Sequence, residues 1–95
     1  MKYNITLQTQ VQRNLNMVAS KIDNEIVMMS VENGEYYGLD EVGSRIWELI
    51  EKPIVVEELI ITLIDEFEVE REHCESDTFE FLEDLNSKKL LKVIE

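Results

Sequence analysis

Asn33-Gly34 separates two β-prone runs, and this dipeptide limits the fold more than any other feature of the chain. A tight hairpin turn needs positive φ at both central residues, which Asn and Gly tolerate and most residues do not. The run before it, Ile26 to Val31, is apolar, and the run after it is Glu35-Tyr36-Tyr37-Gly38-Leu39. A two-residue turn sets Glu32 opposite Glu35, Val31 opposite Tyr36 and Met29 opposite Gly38. The Glu–Glu pair is mildly unfavourable, so a slightly longer loop is the alternative. In this register Val27, Met29, Val31 and Tyr36 share one face, and Ile26, Met28, Tyr37 and Leu39 the other. Both faces carry apolar side chains, so helices or a partner must help to cover so small a sheet.

The rest of the chain adds strands before the hairpin and helices after it. Residues 1–16 form a polar N-terminal arm in which Ile5, Leu7 and Val11 alternate with polar neighbours, a pattern that suits a short strand or an ordered arm. Met17 to Ile22 reads as a strand, which with the hairpin gives a three-stranded antiparallel meander. Asp40 is a good N-cap, opening a first helix over about Glu41 to Glu51 with Val42, Ile46, Leu49 and Ile50 at helical spacing and Trp47 beside them. Pro53 closes that region. The second helix spans about Val55 to Phe67, with a wide apolar arc and Glu57 and Glu58 favourably placed in its first turn. After the connector Glu68 to Glu75, a third helix runs from Arg71 or Glu75 to Ser87. Its stripe is Cys74, Thr78, Phe81, Leu82 and Leu85, with Phe79 on the flank in line with Leu82, Glu83 and Asn86. Leu90, Leu91, Val93 and Ile94 suit an extended tail against the core. The expected fold is α+β, a three-stranded sheet followed by three helices in winged-helix outline, with residues 17–95 as a single domain.

Charge narrows the function. Nine Lys and Arg stand against 21 Asp and Glu, a formal net of −12. Such a field repels phosphate backbones, which weighs against nucleic acid, and attracts basic or amphipathic peptides; simple solubility is the plainer account of the same charge. One cysteine, Cys74, permits no internal disulfide and suits a reducing compartment. No apolar run approaches the roughly 18 residues of a membrane span, and the first residues have no signal-peptide core. The expectation is a soluble cytoplasmic protein that binds no membrane.

No arrangement of residues points to catalysis. Three glycines cannot build a phosphate loop. Glu70, His73 and Cys74 suggest a metal site only on paper, because neighbouring side chains on a helix point apart; a Cys–His nucleophile fails for the same reason. Glu57-Glu58 and Glu83-Asp84 read as solvated helix faces. The expectation is a binding protein without cofactor or metal. Its candidate site is the last strand of the meander, whose outer border lacks the charge, proline or cover that usually blunts an edge. An extended peptide could add there as another strand, with Gly38 letting its backbone approach and Phe79, Leu82 and Glu83 as the opposite wall. The plainer alternative is that the third helix simply covers the edge. A third is that the edge pairs with a second copy, so monomer and weak homodimer both stay open.

Gly34-x-Tyr36-Tyr37-x-Leu39-Asp40, then Gly43, then Ile46-Trp47-Glu48-Leu49 resembles the PqqD-like family of leader-recognition proteins. Asp77-x3-Phe81-Leu82-x2-Leu85 and Leu90-Leu91 resemble its closing helix, so the likeness spans about residues 17–94. Two positions depart from the family pattern: Asp40 stands where Asn is usual, and Lys88-Lys89 where a Gly often precedes the final apolar pair. The second departure bears on how the third helix ends rather than on the groove. The resemblance implies a protein that binds the leader of a ribosomally made precursor peptide. The leader would lie antiparallel to Tyr36–Leu39, with Tyr36, Tyr37, Gly38, Leu39, Phe79, Leu82, Glu83 and Asn86 as the peptide-binding residues. It also implies delivery to a modifying enzyme: a leader peptidase in lasso-peptide systems, the reading favoured here, or a radical enzyme in pyrroloquinoline quinone synthesis.

Overall fold

The two ends of the chain meet in one small sheet, and the hairpin builds another. The structure, a computed structural model, describes residues 5–14, 17–23, 25–30 and 34–94. In order the elements are β1 (Gln10–Arg13), β2 (Met17–Ile22), β3 (Glu25–Ser30), β4 (Glu35–Leu39), α1 (Glu41–Leu49), β5 (Ile54–Val55), α2 (Val56–Phe67), α3 (Arg71–Ser87) and β6 (Leu91–Ile94). The class is α+β. β2, β3 and β4 form the antiparallel meander. β1 lies between β5 and β6, also antiparallel, in a second sheet that local pattern did not suggest.

The hairpin register differs from the two-residue turn. Ser30 pairs with Glu35, Met29 with Tyr36 and Val27 with Gly38, so four residues, 31–34, separate the paired ends. Glu35 and Tyr36 thus face Ser30 and Met29, and the partners expected for them, Glu32 and Val31, lie outside the described residues. Gly34 does take positive φ, 68°. Because the slip is by two residues, each side chain keeps its face. Ile26, Met28 and Leu39 are buried on the inner face, whereas Tyr36, on the outer face, is 73% exposed.

α1 covers the inner face. Asp40 caps it, its carboxylate accepting from the Gly43 N–H at 2.8 Å. Ser44, one turn in, is buried and bonded on both sides. It accepts from the Ile26 N–H at 2.8 Å and donates to the Leu39 carbonyl at 3.2 Å, tying α1 to β3 and β4. The helix stops at Leu49, two residues short of the expected end, and Val55 belongs to β5 rather than to the second helix. Arg13 secures the C-terminal end of α1: its backbone N–H donates to the Ile50 carbonyl at 2.8 Å, and its guanidinium donates to the Trp47 carbonyl and lies over the Trp47 ring.

The core runs from Ile26 and Met28 through Ile46 and Trp47 to Leu59, Ile60 and Leu63 of α2, and on to Leu82 and Leu85 of α3. Val42, which spacing assigned to the apolar stripe of α1, is instead 39% exposed. It sits in the first turn of the helix, where it borders a depression against α3.

α3 ends without the usual glycine. Lys89 takes the left-handed conformation, φ 63°. The Leu90 N–H then donates to the Leu85 carbonyl and the Lys89 N–H to the Asn86 carbonyl, the paired bonds of a left-handed helix cap. This sharp exit turns the chain into β6.

Candidate functional site

β4 has β3 on one side, and among the described residues no strand pairs with its other side. That side opens on a groove of about 470 Å³ between β4 and α3. Tyr36, Tyr37, Gly38 and Leu39 line one wall; Phe81, Asp84, Leu85 and Lys88 line the other, with Met28 and Leu90 beneath. The β4 residues singled out from the sequence thus come together on the groove.

The helix residues expected opposite them do not. Leu82 is fully buried in the core, and the Glu83 carboxylate accepts from the Ile5 N–H at 3.3 Å, on the side of the N-terminal arm. Phe79 packs half-buried against the core, and Asn86 is likewise absent from the groove walls. The actual wall, Phe81, Asp84, Leu85 and Lys88, follows the i, i+3, i+4, i+7 spacing of one helix face, rotated from the expected one. The sequence carried that spacing, but Phe81 and Leu85 were assigned to the core alone.

Two local contacts shape the groove. Gly43 lets Phe81 sit close: a Cβ there would lie 3.2 Å from the Phe81 ring and 3.1 Å from the capping Asp40 oxygen. Lys88 spans the groove, its ammonium 2.7 Å from Asp84 and 5.5 Å from the centre of the Tyr37 ring. The Tyr37 hydroxyl in turn donates to Glu35 at 2.8 Å. Lys88 therefore does bear on the groove, contrary to the expectation that this departure touched only the helix end. A guest backbone beside β4 would meet a wall that is apolar at Phe81 and Leu85 and holds one Lys–Asp pair.

A cluster of shifted titrations lies away from the groove, around α1. Arg45 forms two bonds to Glu66, at 2.8 and 2.9 Å, and one to Glu48 at 3.2 Å, and Lys21 bonds Glu48 at 3.0 Å. Lys21 first, then Arg45, holds the Glu48 carboxyl below its ordinary value, and Arg45 does the same for Glu66. This cluster joins β2, α1 and α2. His73 is exposed and 3.2 Å from Asp77, whereas Cys74 is buried beside Thr78, so the two neighbours diverge as helical geometry requires. Among the described residues no three His, Cys, Asp or Glu side chains are grouped to hold a metal ion. No helix among them is long and apolar enough to cross a membrane.

The sequence matches the family model described as coenzyme PQQ synthesis protein D over residues 25–91, the span from β3 to the start of β6. The chain belongs to the PqqD family. Among solved structures, one described as TbiB1 in complex with the TbiA(beta) leader peptide is 38% identical, with a TM-score of 0.78 over 85% of this chain and 94% of that one. The solution structure of the PqqD truncation of Methylobacterium extorquens PqqCD is described as a stand-alone recognition element for ribosomally synthesised and post-translationally modified peptides. It is 16% identical, with a TM-score of 0.76 over 93% of this chain and 94% of that one. At that identity the likeness speaks for the fold alone. No curated protein matches the chain.

Proposed function

We propose that this PqqD-family chain is a non-catalytic adaptor that captures the leader of a ribosomally made precursor peptide and presents it to a modifying enzyme in the cytoplasm. The leader adds to the vacant side of β4 as a further strand. Its main chain gains hydrogen bonds from the edge, and alternate side chains reach the α3 wall at Phe81 and Leu85. The observation that carries this reading is the strand border without a second strand neighbour, opening on a groove roomy enough for an extended chain. The 38% identity to a protein seen with a leader peptide supports it. The receiving enzyme we infer is a leader peptidase of lasso-peptide type, with a radical enzyme of the quinone pathway as the alternative.

Fluorescence anisotropy with labelled TbiA(beta) leader peptide tests the adaptor role. In a strand, N–H groups point alternately to either side, so one of Tyr36→Pro and Tyr37→Pro removes a bond to β3 and the other a bond to the guest. Proline facing the open side of an edge strand is tolerated. The variant that keeps its thermal stability is expected to bind at least about tenfold more weakly, in line with loss of a hydrogen bond and the strain of a displaced strand. Unchanged affinity in that variant would rule out strand addition. Incubating the peptide with this chain alone is expected to leave it uncut.

A further inference from the structure

A second depression lies beyond the end of β4, between the first turn of α1, the end of α2 and the first half of α3. Its volume is about 460 Å³, and its floor is Gly43, Ile46, Leu63 and Cys74, with Phe67 and Phe81 as walls. Val42 and Val69 stand at its mouth, 39% and 38% exposed, and are among the exposed large apolar side chains of the described residues. Asp40, Asp77, Glu80 and Asp84 are among its lining residues and no Lys or Arg is, though Asp84 is paired with Lys88 from the groove side and Asp77 with His73. An apolar hollow whose charged lining is acidic is complementary to a bulky apolar side chain carried next to a cation. The hollow is also continuous with the β4 groove, because Asp40, Phe81 and Asp84 line both. A chain that leaves the groove over Phe81 enters the hollow without crossing exposed surface of other character.

We propose that this hollow is a second anchoring site for the same guest. It takes one bulky aliphatic or aromatic side chain of the leader, lying outside the strand-paired segment and flanked by Lys or Arg. The inference rests on the leader-binding reading above. It adds a division of labour: the edge and its groove hold the extended segment, and the hollow adds selection by a side chain outside that segment. The Phe81 ring, wedged against Gly43, separates the two sites.

The test uses the full chain and the TbiA(beta) leader peptide. Val42→Asp and Val69→Asp each place a charge at the mouth of the hollow, and neither position lines the β4 groove. Both positions are partly exposed; Val42 lies in the first turn of α1, where Asp is favourable, and Val69 in the connector before α3, so folding is retained. Removing one buried apolar anchor is expected to weaken binding by about tenfold or more. An alanine scan of the peptide is expected to find one apolar position, outside the strand-paired segment, whose loss is not additive with Val42→Asp. Glu80→Lys is expected to slow association most at low salt. If the wild-type chain binds the peptide, the β4 proline variant does not, and both aspartate variants bind within twofold of wild type, the hollow is not part of the site and the edge reading stands. If an aspartate variant weakens binding but no peptide position is coupled to it, the second anchor is likewise overturned. If Val42→Asp dissociates a dimer in sedimentation while leader affinity is unchanged, the occupant is a second copy of the chain and the proposal fails. No binding by the wild-type chain removes the leader reading itself, and this extension with it.

Discussion

Ser44 is the residue on which the geometry of the site turns. It is buried, and its hydroxyl ties α1 to the paired ends of β3 and β4. Replacing it with alanine leaves the Ile26 N–H buried without that acceptor, a loss worth about 1–3 kcal/mol. Ser44→Ala is therefore expected to lower the urea midpoint by that equivalent, and a drop well under 0.5 kcal/mol, about the scale of an ordinary surface change, would mean the bridge is not needed. Nothing in the sequence marked this serine, since a polar residue early in a helix looks the same whether it faces water or a sheet. Asp40 and Gly43 were legible, one as a cap and the other as part of the family pattern, though not the reason for Gly43, which is the Phe81 ring.

Among the elements, the exit from α3 offers the sharpest test. Lys89 occupies a left-handed position that costs a residue with a Cβ about 1–2 kcal/mol. Lys89→Gly keeps both capping bonds and is expected to stabilise the domain by about 1 kcal/mol, a rise in Tm of about 4–8 °C for a domain of this size. No change would indicate that the lysine side chain offsets the strain by other contacts. The meander and the three helices were legible because their patterns are local: alternation, helical spacing, a cap and a turn. The sheet of β5, β1 and β6 was not, because β1 pairs with a strand some 80 residues later, Gln10 with Ile94, and no short window contains both. The face of α3 that meets the groove was misjudged for a related reason. Phe79 and Leu82, like Phe81 and Leu85, are spaced three or four apart, and only the packing of Leu82 into the core fixes the rotation of the helix.

For the whole molecule, charge sets the behaviour. At a formal net of −12, self-repulsion opposes the compact state and added salt is expected to raise Tm modestly. Against that background the Arg45 cluster has a defined pH signature. Glu48 and Glu66 are held below their ordinary value of 4.5, so the folded state resists their protonation. The stability they contribute is fully present above pH 4.5 and is lost as pH falls through the lowered native values. Arg45→Met removes the main cause for Glu66 and one of two for Glu48, so its urea midpoint is expected to fall less steeply than wild type between about pH 5 and 3. Parallel curves would mean that the ion pairs are too solvent-screened to matter. The same negative field suits a guest that carries Lys or Arg, as does the acidic lining of the second hollow.

The central claim, that the open border of β4 receives an extended chain, is tested most directly by amide hydrogen exchange followed residue by residue, with and without the TbiA(beta) leader peptide. The expected result is marked slowing at the outward-facing amides of Glu35 to Leu39 on addition of the peptide, with the amides of β1, β5 and β6 unchanged. Binding that leaves the β4 amides exchanging at their free rate would contradict the account.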